Sequence, residues 1–461
     1  MNSIPTPTHK IRTKFNTPQI LRGSLYTAWG VSCLLLVFSI SGVSSQRQAI
    51  KIVGKDAAPS ILTAQQLRDS FADIDASLAN ELLLKPGENS QTLADFEKNQ
   101  KKIADRLVAA AKNITYPAEE SIVQTLQLKS SNYFLKLQSA RDAHKRGDRV
   151  GALTAYRSAA SLMDREILPK SVELDHVNYQ ELKNTYNGQS FYNIILAVWI
   201  AIIGLAQISI LIVIQIFLYL RMRRILNLPL LGASTIAILF LGYTMNSIVS
   251  ATVNLKIAKA DAFDSIHSLR QARALSYMAN ADQSRYLLDT ADSDKHDRAF
   301  KEKIDKLITI APSKSLQDIV SSIPRSAGVQ KFELSGFTGF YAEELKNITF
   351  KGELAGTVDT LTKLDDYLKI DAEIRRLYRS GKVTEAIVLC IGNQQGQSNW
   401  AFDRYQAANE KVRLINEAVF KEKIEAGTNN LKNFEMIAYM SIGSIAILTL
   451  FGLRPRLAEY L

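Results

Sequence analysis

Helix breakers are scarce in this sequence: 11 prolines and 22 glycines in 461 residues. With its apolar residues gathered into blocks, that scarcity favours a mostly helical protein. Cysteine is nearly absent. Cys33 lies inside a long apolar block and Cys390 ends a short apolar run in polar surroundings, so no disulfide between them and no metal-ligand cluster is expected. His9, His144, His176, His267 and His296 show no metal-ligand spacing and are each read as exposed polar residues. There is no phosphate-binding loop, no glycine-rich dinucleotide turn and no nucleophile elbow. The acids fall at ordinary density on what read as polar helix faces, and "DDYLKIDAEIRR" is read as a solvated face. The expectation is a non-enzymatic protein with no cofactor and no metal.

What is present is charge in particular places. The net charge is +11, and 38 residues hold +8 of it. Residues 1–23 carry Lys10, Arg12, Lys14 and Arg22 without acids, "RMRRILN" carries Arg221, Arg223 and Arg224, and the tail carries Arg454 and Arg456 against Glu459. All three stretches flank apolar blocks, as the cationic loops of membrane proteins do on the cytoplasmic side. That is not a nucleic-acid footprint. The blocks Leu25–Val43, Tyr192–Leu220, Leu228–Ser250 and Met436–Leu453 each suffice for the roughly 20 residues a bilayer needs. The first is read as an anchor rather than a cleaved signal.

The layout predicted from this is a cytoplasmic basic tail (1–23), a first span (24–43), an outer helical domain (44–190) and a second span (191–220). A cytoplasmic turn (221–227), a third span (228–250), a second outer domain (251–434), a fourth span (435–453) and a cytoplasmic tail (454–461) complete it. The fold class is therefore an all-α membrane protein, with four transmembrane helices and two tandem extracytoplasmic four-helix-bundle-like domains. Both termini are placed on the cytoplasmic side of the membrane. The spans carry no charge, which argues against an ion pathway. Gln207 and Gln215 lie on nearly one face of the second span and read as interhelical hydrogen-bond groups, as does the polar run "GYTMNSIVSATVN".

The outer segments share an internal repeat. "KNITYPAEE" at 112–120 returns as "KNITFKGEL" at 346–354, and aligning 112–153 with 346–387 gives 10 identities in 42 positions. Average composition would give about two or three. The matches include Asn113/Asn347, Thr115/Thr349, Tyr133/Tyr367, Arg141/Arg375 and Gly147/Gly381, so we read a duplication. The Asn-Ile-Thr stretch is read as a turn between the second and third helices of each bundle. The alternative is a docking surface formed by Asn113, Thr115, Asn347 and Thr349. Lys351 replaces Pro117 in the second copy. In the first domain's last helix Pro169 should kink or break the chain. In the second, about 30 extra residues precede the turn, sized as an interhelical insertion, and "IGNQQGQS" should interrupt the last helix.

Little of the chain is left for the cytoplasm, so any output must pass through a separate partner. Arg221, Arg223 and Arg224 are the candidate contact for that partner or for anionic lipid. A homo-oligomer is left open. Two further readings stand beside a signalling relay: an envelope scaffold, and a chemoreceptor-like sensor binding a small ligand between helices. Arg141 and Arg375 are the latter's candidate contacts, although a solvated helix face is the plainer reading of each.

The runs "SFADIDASLANELLLKPGENSQTLADFEKNQKKIADRLVAAA" and "AYRSAASLMDREILPKSVELDHVNYQELKNTY" resemble the first outer domain of the GlnX-type membrane proteins. "ALSYMANADQSRYLLD" and "GFTGFYAEELKNITFKGEL" are similar to that family's second domain, and the resemblance extends over the four spans. It implies a relay, in which an extracytoplasmic amino-acid-binding protein engages the membrane protein. The membrane protein in turn influences a cytoplasmic Ser/Thr kinase. The resemblance carries over no catalytic residues.

Overall fold

The structure is a computed structural model that describes residues 16–87, 91–222, 227–324 and 329–459. The chain begins with α1 (Thr17–Lys51), a π-helical turn (Ile52–Ala57) and α2 (Ala58–Leu83). Then come α3 (Gln91–Lys112), α4 (Pro117–Lys145), α5 (Arg149–Leu162), a second π-turn (Met163–Ile167) and α6 (Leu168–Met222). The second half runs α7 (Leu228–Lys256), a third π-turn (Ile257–Phe263), α8 (Asp264–Leu288) and α9 (Ser293–Leu307). A small insertion follows with β1 (Thr309–Ile310), α10 (Leu316–Ser322), β2 (Phe337–Thr338) and α11 (Phe340–Lys346). The chain closes with α12 (Glu353–Arg379), α13 (Val383–Ile391), α14 (Ser398–Asn429) and α15 (Phe434–Ala458).

The expected all-α membrane class is what the structure has. Four helical stretches are long and apolar enough to cross a membrane: Thr17–Leu83, Arg149–Arg221, Leu228–Leu288 and Ser398–Ala458. Contacts divide the chain into two compact units. The first holds the apolar segments, Met1–Ala49, Asn187–Val253 and Ala426–Leu461; the second holds Ile50–Tyr186 and Asn254–Glu425.

Within the span unit, polar side chains bridge helices, as a medium without water requires. Gln215 Nε2 donates to Ser234 Oγ at 2.9 Å, Asn227 Nδ2 to the Gly452 carbonyl at 2.8 Å and Trp29 Nε1 to the Ala446 carbonyl at 3.1 Å. Gln46 Nε2 donates to Thr252 Oγ1 at 2.7 Å, and Arg47 pairs with Glu435 and the Leu431 carbonyl. Gln207 is fully buried, and its amide finds no partner among the described residues, so of the two glutamines only Gln215 behaves as the sequence suggested, while Thr252 of the polar run does so through Gln46.

In the second unit the two repeated segments pack against each other. Residues 50–186 and 254–425 form one compact body, with α2 packed against α8. The reason is compositional. Both helices are rich in Ala and Ser, which allow close approach, and both are buried along most of their length. Their charges meet each other: Arg285 Nη2 lies 2.5 Å from Asp75 Oδ2, and Ser284 donates to Asn80. One apolar core centres on Leu67, Phe71, Leu126 and Tyr133. Its counterpart centres on Leu307, Tyr341, Leu361 and Tyr367. Met278 and Leu288 of α8 lean on the first core, so the two halves share side chains.

The duplication is carried through in detail. The π-turns at Ile52–Ala57 and Ile257–Phe263 correspond. Gly147 and Gly381, at φ 78° and 81°, each end a long helix in the left-handed region that glycine tolerates. The extra residues of the second half are more than a loop: Ile319, Ile323 and Phe337 join its core. The helix around Pro169 is unbroken. Proline cannot tolerate the carbonyl four residues back in an α-turn, and the wider π-turn at Met163–Ile167 absorbs the conflict. α13 ends at Ile391 and α14 starts at Ser398, with Gly396 at φ 89° in the gap, where the sequence placed an interruption.

Candidate functional site

The repeated Asn-Ile-Thr turn is a staple made of the same bonds twice. Asn113 Nδ2 donates to Ser60 Oγ at 2.5 Å and to the Asp56 carbonyl at 3.4 Å. Asn347 Nδ2 donates to Ser265 Oγ and the Asp261 carbonyl, both at 2.9 Å. Asp56 and Asp261 belong to the corresponding π-turns, where widened helical bonding leaves carbonyls available. Glu119 and Glu353 accept the amide N–H of Thr115 and Thr349 at 2.8 and 2.7 Å. The Thr hydroxyls donate to the Asn113 and Asn347 carbonyls. These bonds account for the four repeated residues structurally.

Arg141 and Arg375 are buried, in place of the solvated faces expected. Arg141 Nε makes two 3.0 Å bonds to the Glu81 carboxylate and its guanidinium stacks 4.5 Å from the Phe96 ring centre. Arg375 Nε bonds Asp371 at 2.7 Å, pairs with Asp297, and lies 4.7 Å from the rings of both Tyr286 and Phe300. So "DDYLKIDAEIRR" is partly interior. Each arginine ties its long helix to the first helix of its half or to α9. Among the histidines, His144 is buried and His267 pairs with Asp175 at 3.2 Å. Burial lowers the His144 and His296 pKa values. Of the expected set only His176 is exposed; His9 lies outside the described residues. Arg221 is exposed at the end of α6, whereas Arg223 and Arg224 lie outside the described residues.

A different set of charges meets in a cavity of about 280 Å³ between the two halves of the helical unit. α2 contributes Gln66, Asp69 and Asp73, and α3 contributes Lys102 and Arg106. From α8 come Arg270, Arg273 and Tyr277, and from α14 Glu410 and Arg413. These spacings of three, four and seven put each helix's contribution on one face. Five cationic side chains face three carboxylates.

The bonding in this cluster is uneven. Arg413 is saturated by Glu410 and Glu417, and Arg106 donates to Ser70 and the Gln66 carbonyl. Arg270 and Arg273 are held more loosely. Arg270 Nη1 is 3.8 Å and Arg273 Nε 3.7 Å from Asp69 Oδ2, and Arg273 Nη1 is 3.9 Å from Glu410 Oε2. All three exceed hydrogen-bond length. Asp69 Oδ1 and Arg270 Nε have no partner among the described residues, although both residues are only 7% exposed. Burial raises the pKa of Asp69 and Asp73 and lowers that of Arg106 and Arg270, the response of charges taken from water without full compensation.

Sequence reasoning missed this site because Asp69, Asp73, Arg270 and Arg273 each look like ordinary charges on an amphipathic helix. In the structure α2 and α8 are buried along most of their length, so their charges meet across an interface.

The fold defines a multi-pass helical membrane protein with a polar helical unit. In keeping with that class, residues 49–187 match the family model described as the actinobacterial sensor domain. The match coincides with the first stretch of the helical unit, Ile50–Tyr186, and points to a sensing role in a bacterial membrane protein. No curated protein and no solved structure matches the chain.

Proposed function

We propose that the protein is a non-enzymatic transmembrane signalling relay. Its helical unit faces outward and its output passes to a separate cytoplasmic partner. One observation carries this: all four apolar stretches run on as helix into residues of the polar unit, the fourth by way of a turn at 430–433. A rearrangement of α2, α6, α8 or α14 thereby has a mechanical route to a span. Such a relay needs two arrangements whose balance the input biases.

The charge pattern supports the orientation. Basic residues gathered at the termini and at Arg221, Arg223 and Arg224 favour placing those stretches in the cytoplasm of a bacterial cell, at the inner membrane. The resemblance to GlnX-type proteins supports an extracytoplasmic amino-acid-binding protein as the input partner and a Ser/Thr kinase as the output partner. The arginine turn is the natural kinase contact, and anionic lipid competes for it.

Crosslinking in intact cells, followed by purification and mass spectrometry, tests the relay. Recovery of a solute-binding protein outside and a kinase inside is the expected result. Recovery of unrelated envelope components alone would sink the relay in favour of a scaffold.

A further inference from the structure

We propose that the cavity between α2, α3, α8 and α14 binds a small organic anion carrying carboxylate or phosphate groups, held chiefly by Arg270 and Arg273. The binding claim stands on the cavity alone; its role as a signalling input rests on the relay reading.

Three features of the cavity converge. The first is unspent bonding capacity. In the same unit Arg141 and Arg375 each close on a carboxylate through Nε at 2.7–3.0 Å. Arg270 and Arg273 stand 3.7–3.9 Å from Asp69 and Glu410, and the Arg270 Nε has no acceptor among the described residues. A buried guanidinium left part-bonded is costly, and it gains most from an acceptor that fits its planar fork. Carboxylate and phosphate oxygens are that acceptor.

The second feature is sign. With Arg413 neutralised by Glu410 and Glu417, Lys102, Arg106, Arg270 and Arg273 are left facing Asp69 and Asp73. A neutral molecule would leave that excess in place and a cation would add to it, whereas an anion reduces it. Tyr277, against the Arg273 guanidinium at 5.3 Å, walls one side. The third feature is room. About 280 Å³ is near the lower end of the roughly 300–1,000 Å³ of small-molecule pockets, which suits a compact metabolite.

The position gives the ligand leverage. Asp69 and Asp73 come from one copy of the duplication, and Arg270, Arg273 and Arg413 from the other. An anion drawn between Arg270 and Arg273 competes with Asp69 for them, so occupancy alters how α2 meets α8.

The test uses the full chain in nanodiscs in low-chloride buffer, with no partner present. Succinate, citrate and inorganic phosphate are titrated by calorimetry and by shift of the unfolding temperature, with succinamide as the uncharged counterpart of succinate. At least one anion should bind and raise the unfolding temperature by several degrees, while succinamide does neither. Binding of succinate or citrate alone identifies a carboxylate ligand; binding of phosphate alone identifies a phosphate ligand. Arg273→Gln should weaken the binding at least tenfold. Asp69→Asn removes the competing carboxylate and should tighten it severalfold, a direction that a purely structural role does not give. If Arg273→Gln fails to fold, the comparison of succinate with succinamide and the sign of the Asp69→Asn effect still decide. No anion binding to the unaltered protein, or equal binding of succinamide, overturns the proposal. Because no partner takes part, failure here leaves the crosslinking result untouched, and failure there leaves this one untouched.

Discussion

Asn113 and Asn347 each connect a turn to a π-helical segment far away in sequence, through an amide that only donates in these contacts. Replacing either by Ala leaves a serine hydroxyl and a π-turn carbonyl without that donor. The expected loss is about 1–3 kcal/mol per site, read from chemical unfolding of the intact protein. Asp in place of Asn should do no better than Ala, since a carboxylate facing a carbonyl oxygen has nothing to donate. Glu344 supplies a pH dependence. Burial, followed by the neighbouring Glu353, pushes its pKa from 4.5 up to about 8. Between those values the folded chain keeps a proton that the unfolded chain has released, so stability falls as pH rises through that window. Glu344→Gln should flatten this fall and make the protein more resistant to heat than the unaltered chain at pH 8, while near pH 4.5 the two should melt alike. A variant whose melting tracks the unaltered protein across the range would remove Glu344 as the cause.

At the scale of elements, the π-turns set the relative rotation of the helix on either side, because each inserts extra backbone into an otherwise α-helical run. In the first of them, Gly54 approaches Ile424 so closely that a Cβ would sit 2.7 Å from the isoleucine Cγ2. Close approach, rather than a special backbone angle, is what requires glycine here. Gly54→Ala should cost stability by moving the α14 side chain, and Gly54→Leu should cost about 1–3 kcal/mol through overpacking. Thermal unfolding of the two variants beside the unaltered chain measures both effects. If Leu is tolerated as well as Gly, the close packing is not what the position is for.

For the whole molecule, the consequential fact is that residues 50–186 and 254–425 form one body. Arg285 of α8 pairs with Asp75 of α2, with Asp164 in the Met163–Ile167 π-turn and with Asp282 of its own helix, and its Nε donates to Tyr156 at 3.0 Å. Arg285→Leu leaves Asp75 in the interior without its cationic partner, whereas Asp282 keeps Lys303, and removing one partner of a buried pair typically costs about 3–5 kcal/mol. The burial that already lifts Asp75 to about 6 lets it take up a proton in mild acid, so the deficit should be smaller at pH 5 than at pH 8. Calorimetry should show residues 50–186 and 254–425 melting in a single transition. Two separate transitions would mean that the halves fold independently.

The sequence by itself determined the four spans, the mainly helical class and the duplication, because each depends on local or periodic properties. Long apolar runs between basic flanks and few breakers leave little freedom, and Asn113/Asn347, Arg141/Arg375 and Gly147/Gly381 reappear in one register. The same regularity showed where the second half is interrupted after Ile391. Only the tertiary structure decided that the repeated halves share one body, that Arg141 and Arg375 are interior staples, and that Asp69 and Arg273 face one cavity. Helical spacing shows which residues share a face. It does not show which face of another helix, hundreds of residues away, that face will meet. A charge whose solvation depends on that meeting reads the same in sequence whether it lies in water or, as Arg270 does, 7% exposed between two copies of one fold.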